Sequence, residues 1–200
     1  MTEPALQPAR QCRRNGRFTP WPGIWKRAPL MGLLATVGLL WLAPKADLAI
    51  AAPAKPKLVV LDMELTGDLG GPQFTAEHAV RLRTETAILR RELENSRLYE
   101  VLDNTPAVPL INRLKSQQAY LHDCNGCDLQ VGRQLGADQV LVTWVDRVSN
   151  LILSLTYEFH DVASGQIVGR KSYDFRGDND AAWTHTITFM VRDLKESQEK

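Results

Sequence analysis

Cysteine is scarce: the 200 residues hold three, at positions 12, 124 and 127. A structural zinc site takes four ligands, commonly two close cysteine pairs or one pair with two added histidines. The stretch "HDCNGCDLQ", His122 to Gln130, offers one pair with one histidine beside it. That is too few ligands for a site of this kind. Long apolar runs are missing too. The longest, "LMGLLATVGLLWLA" from Leu30 to Ala43, falls short of the roughly 20 residues a membrane-spanning helix takes. Phosphate-binding loops are absent: "GDLGGP" has the glycines but neither the G-x-G-x-x-G nor the Walker-A spacing. No nucleophile turn of the G-x-S-x-G type occurs. His78, His122, His160 and His185 are scattered and form no H-x-x-x-H pair.

What is present begins with a basic leader. Arg10, Arg13, Arg14, Arg17, Lys26 and Arg27 stand against one acid, Glu3, ahead of the apolar run. An apolar core of about 7–15 residues behind a positive segment reads as a secretory signal. Ala49 and Ala51 form an A-x-A site ahead of Ala52. We read residues 1–51 as a signal peptide, with an uncleaved inner-membrane anchor as the alternative. Residues 52–56 form an Ala/Pro linker. Seven of the 24 basic residues and two of the 23 acidic ones lie in the leader, leaving 17 against 21. A mildly acidic remainder gives no electrostatic reason to expect nucleic acid, or a membrane surface once the signal is gone. The expected location is the periplasm, where thiols pair. With Cys12 lost in the leader, Cys124 and Cys127 read as a structural disulfide. A redox dithiol at the start of the helix after Cys127 is the alternative.

Residues 57–197 read as one α/β domain. "KLVVLDMELT" is a strand, ended by the glycine loop. Thr75 is placed to cap a helix whose stripe is Val80, Leu82, Ala87, Leu89 and Leu93, with arginines and glutamates on its wet faces. "LYEVLD" is a short strand, Pro109 opens a second helix, and a third stops at Gly136. "DQVLVTWVDRVS", "NLILSLTYEFHDV" and "IVGRKSYDFRG" are three successive strands, with Trp144 read as core. In the middle one, Leu151, Leu153, Leu155, Tyr157 and Phe159 share a buried face, opposite Ile152, Ser154, Thr156, Glu158 and His160. A last helix begins near Asp180 and carries Trp183, Ile187, Met190, Val191 and Leu194. The expected order is β-α-β-α-α-β-β-β-α: a two-layer sandwich of a mixed five-stranded sheet, with helices on one face and the other more open. Asp62 and Glu64 alternate on the first strand, where a polar sheet face or strand-end hydrogen bonding is the expected role.

The segments "KLVVLDMELTGD", "RLYEVLD" and the run from "CNGCDLQVGRQLGADQVLVTWV" to "SYDFRGDND" resemble an uncharacterised family of exported bacterial proteins, a domain of unknown function, across residues 57–195. More distantly the layout resembles the TolB N-terminal domain and the periplasmic domain of the curli secretion protein CsgG. The resemblance implies a binding module of an envelope assembly, with no catalytic residues, cofactor or metal ligands to carry over. Exported relatives of this sort are also associated with periplasmic quinoprotein alcohol oxidation, which no residue here carries. The expected function is a non-enzymatic periplasmic adaptor or accessory protein with a periplasmic or envelope protein as partner. The alternatives are a small-ligand binder and a thiol oxidoreductase. The candidate partner surface is Thr156, Glu158, His160, Arg170, Ser172, Asp174 and Arg176, with the GDLGGP loop at its rim.

Overall fold

The computed structural model describes residues 54–198; the leader read at 1–51 and the first part of the linker lie outside them. Six strands form one mixed sheet: β1 (Lys57–Val60), β2 (Glu64–Gly67), β3 (Glu100–Val101), β4 (Gln139–Arg147), β5 (Ile152–Asp161) and β6 (Ile167–Arg176). Four helices accompany them: α1 (Thr75–Ser96), α2 (Val108–Gln117), α3 (Cys127–Leu135) and α4 (Asp180–Gln198). The strands run in the order β3-β1-β4-β5-β6, and β2 pairs with β4 off that path. The expected order of elements is met, with one strand more. The first strand is two, because the chain leaves regular pairing between Leu61 and Met63. β1 and β2 then both lie parallel to β4, beside Gln139–Leu141 and Trp144–Arg147 respectively.

Alternation along the strands divides the core. Leu58, Val60, Leu141, Val145, Leu153, Leu155, Tyr157, Phe159 and Tyr173 face α1 and α4, where they meet Leu89, Leu93, Trp183, Ile187, Met190 and Leu194. Val59, Leu61, Val140 and Val142 face the other way, onto α2 and α3 through Ala107, Ile111, Leu114, Leu121 and Val131. The second face is therefore covered over β1 and the Val140–Val142 part of β4, and open over Trp144, β5 and β6. The expected α/β sandwich with one more open face is met, and α2 and α3 add a helical cover on the second face over part of the sheet. α2 and α3 each have an apolar stripe that only a strand pair buried on both sides satisfies. Gly132 of α3 comes so near the sheet that a Cβ there would lie 2.6 Å from Val140 Cγ2.

The boundaries follow local chemistry. Gly136, at φ 66°, ends α3 in the left-handed region, with its N–H and that of Ala137 returning to Arg133 and Gly132. Pro109 sits in the first turn of α2. Thr75 does not cap α1; it is the first helical residue, after a short 3-10 turn at Pro72–Phe74. The stripe of α1 also differs from expectation. Val80 is 54 % exposed, while Arg81 and Glu85 are buried. Partners elsewhere in the chain make their burial tolerable, as described next.

Candidate interaction face

The open half of the second face is built by β4, β5 and β6 in register. Trp144, Thr156 and Ser172 lie in one row, and Val142, Glu158 and Arg170 in the next. His160 follows on β5, opposite Val140. Glu64 of β2 extends the first row beyond Trp144. These side chains are bonded to one another. Asp128, just inside α3 and buried, meets His160 Nδ1 at 2.5 Å. His160 Nε2 meets Glu158 at 2.9 Å. The other oxygen of Glu158 forms an ion pair with Arg170 Nη1 at 3.1 Å. The Arg170 guanidinium stands 6.0 Å from the Trp144 ring centroid, within cation–π range. Trp144 is also stacked with His122, at 4.5 Å and 8°. His122 Nδ1 meets Glu64 at 2.6 Å, and Glu64 also accepts the Leu121 and His122 backbone N–H groups. The result is a continuous strip from Asp128 to Glu64 across four strands, β2, β4, β5 and β6.

Four of the seven expected surface residues are exposed: Arg170, Ser172, Asp174 and Arg176. Thr156 and Glu158 are buried and His160 is half-buried, a correction to a uniformly wet face. Cross-strand bonding causes it: Thr156 Oγ1 lies 2.7 Å from Ser172 Oγ, and Glu158 is enclosed by His160 and Arg170. Trp144 belongs to neither core cluster; it is half-buried on this face. Glu64 and Asp62 part company. Glu64 holds the His122 segment, while Asp62 is exposed and paired with Arg90 at 3.1 Å and Lys115 at 2.9 Å. Burial raises the Asp62 carboxyl, and those two cations overcome it, leaving the pKa below its ordinary value. The Cys124–Cys127 disulfide is present, Cα–Cα 5.5 Å. Cys127 opens α3 directly before Asp128, so the bridge anchors the end of the helix that holds the strip.

The glycine loop borders a different cluster. Asp178, between β6 and α4, accepts from Arg81 Nη1 at 2.9 Å, Arg147 Nε at 2.7 Å and Trp183 Nε1 at 3.1 Å. Arg81 also reaches Asp180 and Glu77 at 2.7 and 2.8 Å, and Arg147 donates to the Asp68 carbonyl in the loop. His78 lies 3.8 Å from Asp178. Burial works against the charge on Arg81, yet the three carboxylates hold its pKa above the ordinary arginine value. Glu85, in the same helix, is buried with Thr184 Oγ1 at 3.0 Å, and burial raises its carboxyl. Among the described residues no group of three His, Cys, Asp or Glu side chains is placed to hold a metal ion. No helix among them is long and apolar enough to cross a membrane.

Residues 56–194 match a family described as "Protein of unknown function (DUF2380)". No curated protein matches the chain. Among solved structures, the LpoB C-terminal domain from Escherichia coli is similar at 20 % identity, over 63 % of this chain and 86 % of that one, with a TM-score of 0.42. A PelC dodecamer subunit from Paraburkholderia phytofirmans is similar at 14 % identity, over 70 % and 84 %, with a TM-score of 0.43. TolB from Acinetobacter baumannii is similar at 10 % identity, over 68 % of this chain and 27 % of its own, with a TM-score of 0.38. These likenesses concern the layout of strands and helices at most. The resemblance to CsgG is not shown.

Proposed function

The chain belongs to the DUF3280 family, and from that premise we propose that it is a non-enzymatic interaction module of the periplasm, an adaptor or accessory protein of an envelope complex. Its partner surface is the open sheet face over β5 and β6. One observation carries the reading: on this face the acid, base and aromatic groups from Asp128 to Glu64 are bonded to each other in one strip. Groups locked in this way are poorly placed to exchange protons with a substrate. They do present a fixed pattern of charge beside a half-buried tryptophan, and a preordered surface binds with less loss of side-chain freedom. Arginine and tryptophan are also the side chains that most often dominate protein interfaces. Exposed Ser172, Asp174 and Arg176 continue the pattern to the sheet edge.

The test is capture from periplasmic extract with mass spectrometry, comparing wild type with a variant carrying Arg170→Ala and Arg176→Ala. A specific protein retained by wild type and lost by the variant supports the reading. A co-purifying small molecule, or a partner that binds both proteins equally, contradicts it.

A further inference from the structure

β6 is the last strand of the sheet, and among the described residues no further strand pairs with its outer edge. Which backbone groups face outward follows from its pairing with β5. The Gly177 N–H donates to the Leu151 carbonyl at 3.0 Å, which marks 151 and 177 as a hydrogen-bonded pair. Antiparallel ladders alternate such pairs with non-bonded ones. Leu153 with Phe175, Leu155 with Tyr173, and Tyr157 with Lys171 are therefore the bonded pairs. The N–H and C=O groups of Arg170, Ser172, Asp174 and Arg176 consequently point away from β5, toward the free edge.

The same four residues carry their side chains on the open face, and their charges have an internal symmetry. Antiparallel pairing of two copies about Ser172 sets Arg170 opposite Asp174, and Asp174 opposite Arg170. Neighbouring in-phase registers do worse: a twofold axis at Tyr173 opposes Arg170 with Arg176, and one at Asp174 opposes two aspartates. Opposite charges directly across a ladder stabilise it, and like charges destabilise it. Asp174 makes no ion pair among the described residues. Beneath the edge lies a groove of about 440 Å³ between β6 and α4, lined by Tyr173, Phe175, His185 and Phe189. In the Ser172-centred register the partner's Gly169 stands opposite Phe175, leaving that ring and the groove unobstructed.

We infer that β6 is a self-association edge: a second copy of this chain adds its own β6 antiparallel, centred on Ser172. The charges and the irregularity at Phe159/His160 discourage indiscriminate edge pairing, and this register satisfies the charges. Two sheets become one, and the open faces of the copies run together across the twofold axis. The inference does not rest on the partner proposed above, because it concerns the purified protein alone.

Cysteine cross-linking tests it on protein expressed from the full-length chain with Cys12→Ser, so that no leader thiol interferes. Ser172→Cys should form an intermolecular disulfide under mild oxidation, since a bonded antiparallel pair has Cα atoms about 5.5 Å apart, within disulfide reach. Arg176→Cys should not, because its twin lies eight residues along, about 27 Å at about 3.4 Å per residue. Light scattering on the unoxidised protein should show a concentration-dependent dimer. Asp174→Arg should weaken that dimer about tenfold, with an unchanged melting curve at concentrations where both proteins are monomeric. A monomer at every concentration without cross-linking overturns the inference. So does cross-linking through Arg176→Cys in place of Ser172→Cys.

Discussion

Two clusters in this domain use the same side chains to opposite ends. Around Asp178, two arginines, a histidine and a tryptophan converge on one carboxylate between α1, α4 and the end of β4. Around Glu158, an arginine, two histidines and a tryptophan are strung with three carboxylates along the face that no helix covers. The first is closed: its Asp178, Arg81 and Arg147 side chains are 7–8 % exposed. Its groups join segments far apart in sequence, and Arg147 ties it to the glycine loop through the Asp68 carbonyl. The second is anchored at one end by buried Asp128 and at the other by half-buried Glu64, and reaches solvent through Arg170. Residue type therefore does not separate the structural cluster from the surface proposed for recognition. What separates them is whether helices cover the sheet at that point.

The sharpest way to break this contrast is to remove the hub of the closed cluster. Asp178→Ala leaves two buried guanidinium groups without their shared carboxylate, and removing one side of a buried ion pair costs about 3–5 kcal/mol. Denaturant titration should show that loss, with partner capture by the remaining folded protein unaffected. The disulfide comes next. Replacing Cys124 and Cys127 with serine should cost about 2 kcal/mol or less, the entropic value of so small a loop. The bridge anchors α3 where Asp128 meets His160, so this change should also loosen the strip.

A smaller effect separates the clusters by pH. Glu85 lies beside the closed cluster, and burial raises its carboxyl above the ordinary 4.5. The folded state then keeps that proton where the unfolded chain has released it, so stability from this group falls as pH rises past about 4.5 and through the raised value. Glu85→Gln is neutral throughout. Thermal melts across pH should show the variant gaining on wild type above that window and matching it below. Smallest of all, Arg170→Ala with Arg176→Ala should move stability by under about 0.5 kcal/mol per site, as exposed positions do. A loss of several kcal/mol would make the open strip as structural as the closed cluster.

Much of the fold was legible because it rests on local period. The two-residue alternation of β5 marked Leu151, Leu153, Leu155, Tyr157 and Phe159 as core, and all are buried but Leu151, which precedes the strand and is 53 % exposed. The helical spacing of Trp183, Ile187, Met190, Val191 and Leu194 marked α4. The closed cluster was not legible. Arg81 and Glu85 read as wet-face residues of α1 because their partners, Asp180 and Thr184, lie 99 positions away, and no local pattern announces such a pair. The open face was legible in part. Alternation named its side chains, but cross-strand bonding decided that Thr156 and Glu158 would be buried. Trp144 read as core because its strand is otherwise apolar. Only the Glu64 carboxylate, which draws in the backbone at Leu121 and His122, brings the stacking ring to it. The Asp62 and Glu64 alternation was the one visible trace of that anchor.

The contrast between the clusters is tested most directly by radical footprinting of the protein with and without its captured partner. Trp144 lies half-buried on the open face, and Phe74, 39 % exposed, lies at the rim of the closed cluster. We expect the partner to lower the oxidation rate of Trp144 several-fold and leave Phe74 unchanged. Protection of Phe74 with Trp144 untouched would place the interaction surface at the closed cluster and contradict the account.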